Sequence, residues 1–515
     1  MRHLLILPFK LLWYAVVLAM PLLGFWLAST LALFLNGPRW LPWLAGGLSL
    51  LLPLLWELER QSRFGRRKAE REAKQQPAPT QLLKPSDRLV LRTLFLNLVF
   101  LTALLIVWPQ TSFAALATRG DWMLEGRQGA WVERSRTFLF SAANRLEWLY
   151  AFSQQNPYAR MAEDQTGAAD PALAHTPIPG ELNTELTPMD ESDSEREPES
   201  DLTDQIQSPQ AETGESLQAD TVTAGSAPSW PLDRKLHPVI TALQAPQEHS
   251  IAAVATYIGQ QESDPYRRVK AIYDYLASRI SYDAESLAVG LYPPQDAETV
   301  FKTRKGVCAG YANLFKALAE ELGIQAAFVV GDSRDLEGRI AGSSHAWNAV
   351  EIGGKWYLLD ATWGAGYVEN FTFNRRYNPA YLMTPPEIFA MDHLPEETHW
   401  QLRRPALDRG EFARQPLLRA SFFEKGYQLI SPQRSQISVS DQVELQLQNS
   451  QNQHLMVRLS PEQGGSATAC AVSGRQAIRV NCQIPGPGRY KVMLFSNQQA
   501  SGQFEYVGQV SVVSG

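Results

Sequence analysis

Apolar residues fall into three long runs before residue 110 and into shorter periodic patterns after residue 236. Leu11 to Leu35 carries no charge over about 25 residues, enough to cross a ~30 Å hydrocarbon core at 1.5 Å per residue. It is long for a signal-peptide core and a second apolar run follows at once, so it predicts a retained membrane helix. Leu41 to Trp56 is shorter and carries Pro42 and Pro53, which leaves a re-entrant or interfacial segment as the alternative to a span. Leu89 to Trp108 is the third run, with Arg92 placed to snorkel toward headgroups. The expected spans are residues 11–35, 40–57 and 89–108, in an anchor covering residues 1–110.

The texture then changes several times. Residues 111–160 mix Trp122, Trp131, Trp148 and Tyr150 with Arg127, Arg134, Arg136 and Arg145, which predicts an amphipathic helical stalk at a membrane–water boundary. A helical hairpin packed on itself is the plain alternative. From Met161 to Trp230 sixteen Asp and Glu face a single Arg, Arg196. Such a segment buries too little apolar area to offset its ordering entropy, so residues 161–230 are expected to be a disordered acidic linker. Globular patterning starts near residue 236 and is assigned to a domain of residues 236–400. Ile251, Val254, Ala255 and Ile258 recur at helical spacing, as do Val269, Ile272, Tyr273 and Leu276. Asp296 is placed to cap a short helix through Phe301. Residues 420–515 alternate in short runs punctuated by Gly464-Gly465 and Pro485-Gly-Pro-Gly488, which predicts an immunoglobulin-like β-sandwich.

Charge orients the anchor. Arg60, Arg63, Arg66, Arg67, Lys68, Arg71, Lys74, Lys84 and Arg88 lie between the second and third runs, which puts that loop in the cytoplasm. Arg2 and Lys10 put the N-terminus there too. Everything after Trp108 then lies outside. The net charge of −6 gives no general reason to expect nucleic-acid binding, and topology accounts for the basic loop. Membrane lipids are the expected partner on this ground. The chain has three cysteines, too few for a four-thiolate zinc site. No metal or other cofactor is expected. Cys470 and Cys482 lie on two strand-like segments and, outside the cytoplasm, are expected to pair; two core thiols are the alternative.

The chemistry concentrates between Gly306 and Trp363. Tyr311, Leu314, Phe315, Leu318 and Leu322 form one helical face closed by Gly323, so Cys308 sits in the first turn. Unpaired N–H groups and the positive dipole end favour a thiolate there. Ala346 to Ile352 and Lys355 to Leu359 read as a hairpin around Gly353-Gly354. Pairing Ile352 with Lys355 sets His345 opposite Thr362, with Asp360 on the same face and diagonal to it. Cys308, His345 and Asp360 are the expected nucleophile, base and orienting acid. Gln295 is the candidate for a second oxyanion donor. Trp347, Trp363 and Tyr367 are candidates for a substrate channel, with packing of the hairpin as the alternative. Asp332, Asp335 and Glu337 lack the twelve-residue calcium-loop pattern and read as a solvated loop.

Thr303-Arg-Lys-Gly-Val-Cys-Ala-Gly-Tyr-Ala-Asn313, Ser344-His-Ala-Trp347 and Trp356-Tyr-Leu-Leu-Asp-Ala-Thr-Trp363 resemble the core motifs of the transglutaminase-like superfamily. They most resemble its kyphoscoliosis-peptidase-like branch and the bacterial relatives of that branch. The likeness covers about Ile251 to Tyr367. It implies an α+β, papain-like core in which the Cys helix packs on an antiparallel sheet carrying His and Asp. It also implies acyl transfer through a thioester on protein or peptide amides, by peptidase, amidase or transamidase chemistry. The expectation is therefore a three-helix anchor in a bacterial inner membrane, a catalytic domain in the periplasm and a β-sandwich behind it. A catalytically silent scaffold with the same fold is the alternative.

Overall fold

The computed structural model describes residues 2–35, 40–73, 84–124, 127, 129–147, 227–289, 292–335, 338, 340 and 345–514. Most of the stretch expected as an acidic linker, residues 161–226, and Ser344 and Glu337 lie outside them.

The N-terminal part is three helices, α1 (Arg2–Phe34), α2 (Leu41–Ala73) and α3 (Pro85–Val107), packed on one another. The second apolar run forms one continuous helix through Pro53. Two stretches are long and apolar enough to cross a membrane, Ala15–Phe34 and Leu41–Arg71. A third arises if Pro85–Leu104 and Pro109–Leu124, bent by 103° at their junction, count as one. The helices approach closely at Gly24, where a Cβ would meet Asn97 Oδ1 at 1.9 Å. Asn97 Nδ2 donates to Ser49 O at 3.2 Å and so ties α3 to α2. At the other end of the bundle Glu57 of α2 accepts from Arg88 at 2.8 Å and also from Arg92, both on α3.

Pro109 breaks α3 and opens α4 (Pro109–Arg119). The segment after it folds back on α1: Trp26 Nε1 donates to Gly120 O at 2.7 Å and Trp122 Nε1 to Ser29 Oγ at 3.2 Å. With α5 (Ala130–Asn144), this segment forms a collar around the end of α1, and Trp131 and Phe138 stay exposed. Arginines dock the rest of the chain on this collar. Arg414 donates to Ala117 O at 2.8 Å, Arg434 pairs with Asp121 at 3.1 Å, and Arg489 donates to Phe34 O at 2.8 Å.

The second domain is built from helices with sequence-encoded starts. Ser250 caps α6 (Ile251–Gln261), Asp264 caps α7 (Pro265–Arg279) ahead of Pro265, and Asp296 caps α8 (Ala297–Thr303). Helix α9 (Cys308–Glu321) buries Tyr311, Leu314, Phe315 and Leu318 against α6, α7 and the sheet, and Gly323 ends it at φ +68°. The sheet has five antiparallel strands in the order β4-β3-β2-β1-β5: β1 (Ala326–Ser333), β2 (His345–Ile352), β3 (Lys355–Leu359), β4 (Leu382–Thr384) and β5 (His393–Pro395). Burying a largely apolar helix face on this sheet contributes about 1.5–3 kcal/mol per large side chain.

Ile352 pairs with Lys355, and Gly353 and Gly354 both take positive φ, as a two-residue hairpin turn requires. The ladder differs from expectation at its far end. Pairing stops at Asn348–Leu359, so His345 has no partner at Thr362. Asp360 leaves the strand to become the N-cap of α10 (Ala361–Ala365), because its carboxylate satisfies the first N–H groups of that helix. Asp332 also differs from expectation. It belongs to β1, is buried, and pairs with Arg409 at 2.7 Å, so it is no part of a solvated loop.

The C-terminal domain is two packed sheets. Gln442–Asn449 alternates exposed and buried residue by residue, as expected of a strand with one wet face. Val443, Leu445 and Val480 from one sheet meet Val457, Val492 and Val510 from the other. Cys470 sits between a short strand of one sheet (Thr468–Ala469) and one of the other (Ala471–Ser473), and is disulfide-bonded to Cys482. Cys308 is the free cysteine.

Candidate active site

Cys308 is the first residue of α9, and Val307 before it provides no side-chain cap. The first intrahelical bond is Tyr311 N to Val307 O, so the N–H groups of Cys308, Ala309 and Gly310 have no acceptor within the helix. Small residues hold this turn close to its neighbours. A Cβ at Gly310 would lie 2.5 Å from Gln295 Oε1 and 2.7 Å from Val300 Cγ2. Gln295 is buried; its Oε1 accepts from Val307 N at 2.8 Å and its Nε2 donates to Pro293 O at 2.9 Å. One N–H of that carboxamide has no partner among the described residues.

His345 opens β2. Three residues along, Asn348 Nδ2 donates to Ala312 O on α9 at 3.0 Å and to Ala327 O on β1 at 3.1 Å, which fixes the strand over the Cys helix. His345 Nε2 meets Asp360 Oδ2 at 2.7 Å, and both residues are buried. That leaves Nδ1 for Cys308. Burial pushes the imidazole pKa down, but the Asp360 charge and hydrogen bond, with a further hydrogen bond donated to Cys308, outweigh it and raise it to about 10. Burial likewise works against the ionised Asp360. The charge of His345 and the hydrogen bonds from His345 and His393 overcome that and hold its carboxyl well below the usual carboxylate range.

Asp360 is saturated. Its Oδ1 accepts from Thr362 N at 2.8 Å and Trp363 N at 3.1 Å, and its Oδ2 accepts from His345 and, at 3.2 Å, from His393 Nε2. His393 is the residue that the sequence reading missed. Its Nδ1 faces Asp392 Oδ1 at 2.7 Å, so the ring lies between two carboxylates. Asp392 is held in turn by the Tyr381 hydroxyl at 2.7 Å and by Arg419 at 3.6 Å. The one signal in the sequence was a consecutive Asp-His between apolar residues, Met391 and Leu394.

The tryptophans separate. Trp347 is 1 % exposed and packs among Val329, Leu358 and Phe389, so it lines no open channel: apolar burial on the sheet outweighs exposure there. Trp363 is half-buried, with its ring 5.6 Å from that of His345, 4.5 Å from His393 and in edge contact with Tyr381. It covers the imidazole. Tyr367 is exposed.

His345, Asp360 and His393 place one ligand atom each within 4.8 Å of one another, residue types that suit a divalent ion. The 2.7 Å His345–Asp360 contact is a hydrogen-bond distance. It is shorter than the ~3.3 Å between two ligands on one tetrahedral zinc, so an ion would have to part the pair.

A helix that begins at a cysteine, laid on an antiparallel sheet that presents histidine and aspartate, defines the class: this chain carries a transglutaminase-like core. Residues 252–361 match the transglutaminase-like superfamily, and residues 409–514 match the KY-like, immunoglobulin-like domain. Among curated proteins, the chain is 28 % identical over 285 residues to kyphoscoliosis peptidase of Mus musculus, covering 53 % of this chain and 42 % of that protein. It is 28 % identical over 269 residues to kyphoscoliosis peptidase of Homo sapiens, covering 50 % and 40 %. The chain thus spans less than half the length of these relatives. A solved TGase structure is similar at 25 % identity, covering 25 % of this chain and 34 % of that one, with a TM-score of 0.19.

Proposed function

We propose that the protein is a membrane-anchored cysteine enzyme that acts on protein or peptide amides outside the cytoplasm. The observation that carries this reading is the buried His345–Asp360 pair beside a free cysteine at a helix start. Anchor and orientation rest on the apolar helices and on the basic residues Arg60 to Arg88, most of which lie on the C-terminal part of α2. The location proposed is the periplasmic side of a bacterial inner membrane.

In this mechanism the Cys308 thiolate attacks the amide carbonyl, and the negative charge passes to the carbonyl oxygen. The Cys308 N–H and the uncommitted N–H of Gln295 are the proposed oxyanion donors; losing one such donor typically costs ~10²–10³ in rate. His345, held as imidazolium by Asp360, gives its proton to the leaving amine as the C–N bond breaks and the thioester forms. It then takes a proton from water or an incoming amine, which attacks the thioester and frees the thiolate. Water gives hydrolysis and an amine gives transamidation.

The test is full-length protein in detergent, incubated with a glutamine-containing protein and a labelled amine, with Cys308→Ala as control. Label uptake that needs Cys308 indicates transamidation, and fragments without uptake indicate peptidase action. Neither product, with no alkylation of Cys308, sinks the enzyme reading. A catalytically silent scaffold is the second reading. It is favoured by burial of the thiol: Cys308 is 3 % exposed and His345 7 %.

A further inference from the structure

A cavity of about 520 Å³ lies where the anchor, the collar and the β-sandwich meet. Its wall includes Phe34 at the end of α1, Arg119 at the end of α4, Arg334 after β1, and Glu462, Arg489 and Lys491 of the C-terminal domain. Four cationic side chains thus face one carboxylate, and both flanking domains contribute them.

Three of the cations are committed to the protein, Arg119 donating to Gln436 O at 3.4 Å. Arg334 is buried and spends its guanidinium on the carbonyls of Gly338, Met391, Gln415 and Pro416, so it contributes field and not a donor. Arg489 donates to Leu33 O and Phe34 O at 3.0 and 2.8 Å, which ties the sandwich to the end of α1. Lys491 lies on the strand Gly488–Asn497, half-buried, and its ammonium has no side-chain partner among the described residues. It is the donor left for a ligand.

Position says what that ligand is. Asn97 of α3 and Gly24 of α1 touch within the bundle. Phe34 lies ten residues beyond Gly24 and Trp108 eleven beyond Asn97, so both stand ~15 Å further along, at one level. At this level Leu35, Ile106 and Trp108 are exposed, as acyl chains require. We infer that this cavity binds the phosphate-bearing headgroup of an anionic phospholipid, with Lys491 on the phosphate and the tails lying along the ends of α1 and α3. A zwitterionic headgroup offers the same phosphate but adds a cation to a cationic wall. The inference rests on the anchoring proposed above and not on the chemistry at Cys308.

The experiment uses full-length protein reconstituted into nanodiscs of phosphatidylcholine with and without phosphatidylglycerol, and reads lipid retained after detergent exchange by mass spectrometry. Wild type is expected to retain phosphatidylglycerol over phosphatidylcholine. At about 1 kcal/mol per basic residue, Lys491→Ala weakens that retention about fivefold and Lys491→Glu about thirtyfold. Lys491→Arg restores it, which separates lost binding from lost folding. Arg71→Glu, in the last turn of α2, leaves it unchanged. Equal retention of the two lipids by an inserted protein overturns the inference and leaves the anchor standing. So does an effect of Arg71→Glu matching that of Lys491→Glu, or displacement by inorganic phosphate, which would make this a free-anion site. Failure to enter the bilayer overturns both readings.

Discussion

Replacing His393 by alanine tests whether the second histidine positions the first. The side chain supplies one of four donors to Asp360, at 3.2 Å, and also contacts Asp392 at 2.7 Å. A hydrogen bond to a buried charged group is worth about 1.5–3 kcal/mol. Asp392 keeps Tyr381 and Arg419, and Asp360 keeps His345 and two backbone N–H groups, so neither carboxylate is orphaned. The expected stability loss is therefore about 3 kcal/mol and not the larger cost of an isolated buried charge. At the reacting end Asp360 loses one restraint on Oδ2 and keeps the other. Alkylation of Cys308 by iodoacetamide and turnover of a labelled amine should fall about tenfold to a hundredfold, 1.4–2.7 kcal/mol. Asp360→Ala removes the anchor itself and should cost about 10³–10⁴. His393→Gln retains a donor toward Asp360 and should recover most of the rate. The decisive readout is the pH profile of alkylation, because a purely structural loss lowers its height without moving it. His393→Ala with the wild-type profile, or with the full loss of Asp360→Ala, would refute the reasoning.

Three further outcomes follow from single observations. Gly310→Ala sets a Cβ 2.5 Å from Gln295 Oε1 and 2.7 Å from Val300 Cγ2, so it should cost about 1–3 kcal/mol and slow Cys308 alkylation, read by thermal melting and labelling rate. Cys470→Ser with Cys482→Ser opens a disulfide closing a loop of separation 12 and should destabilise the β-sandwich by about 3 kcal/mol, while alkylation of Cys308 stays unchanged. His345 has a folded pKa raised from 6.5 to about 10, so its contribution to stability is complete below 6.5 and is lost as pH climbs through 10. The melting-temperature gap between wild type and His345→Gln should therefore narrow from pH 7 to pH 10. A gap that widens over that range would contradict the ion pair.

What could be read from the sequence was local. The Cys308 helix rests on an apolar period and a terminal glycine, both visible in a dozen residues. The hairpin rests on two glycines whose positive φ sets an even register, which was enough to bring His345 and Asp360 to one side. The same logic failed at the ladder's end. A strand rule carries Asp360 along the sheet, whereas its carboxylate does better capping α10, and the His345 contact survives because capping turns the side chain inward. Trp347 stood between a channel role and packing of the hairpin because motifs do not report depth; the packed sheet shows it buried. His393 was beyond reach for another reason. It lies 33 residues past Asp360, after β4 and a crossover to the far edge of the sheet, and no periodic signal spans such a connection.

That crossover explains how a residue on the edge strand reaches a carboxylate at the end of β3, with β1 and β2 intervening. Gly331 of β1 lies between them, paired with His345 on one side and with Pro395 of β5 on the other. A Cβ at Gly331 would lie 2.2 Å from Leu394 O and 2.6 Å from both Pro395 Cα and Trp347 Cη2. The missing side chain lets β5 close against β1 and leaves room for the Trp347 ring. His393 then crosses at the start of β5, stacked on Phe389 with ring centroids 4.1 Å apart. Trp347 and Phe389, both buried, pack against the His393 ring, and Asp360 itself is fully buried. Asp360 must then find all its donors within the protein, and with four donors in place it has no freedom left to follow a proton. In the mechanism proposed above, a carboxylate held this way orients His345 and stabilises its charge, and the imidazole alone is the group that would move the proton between thiol and leaving group.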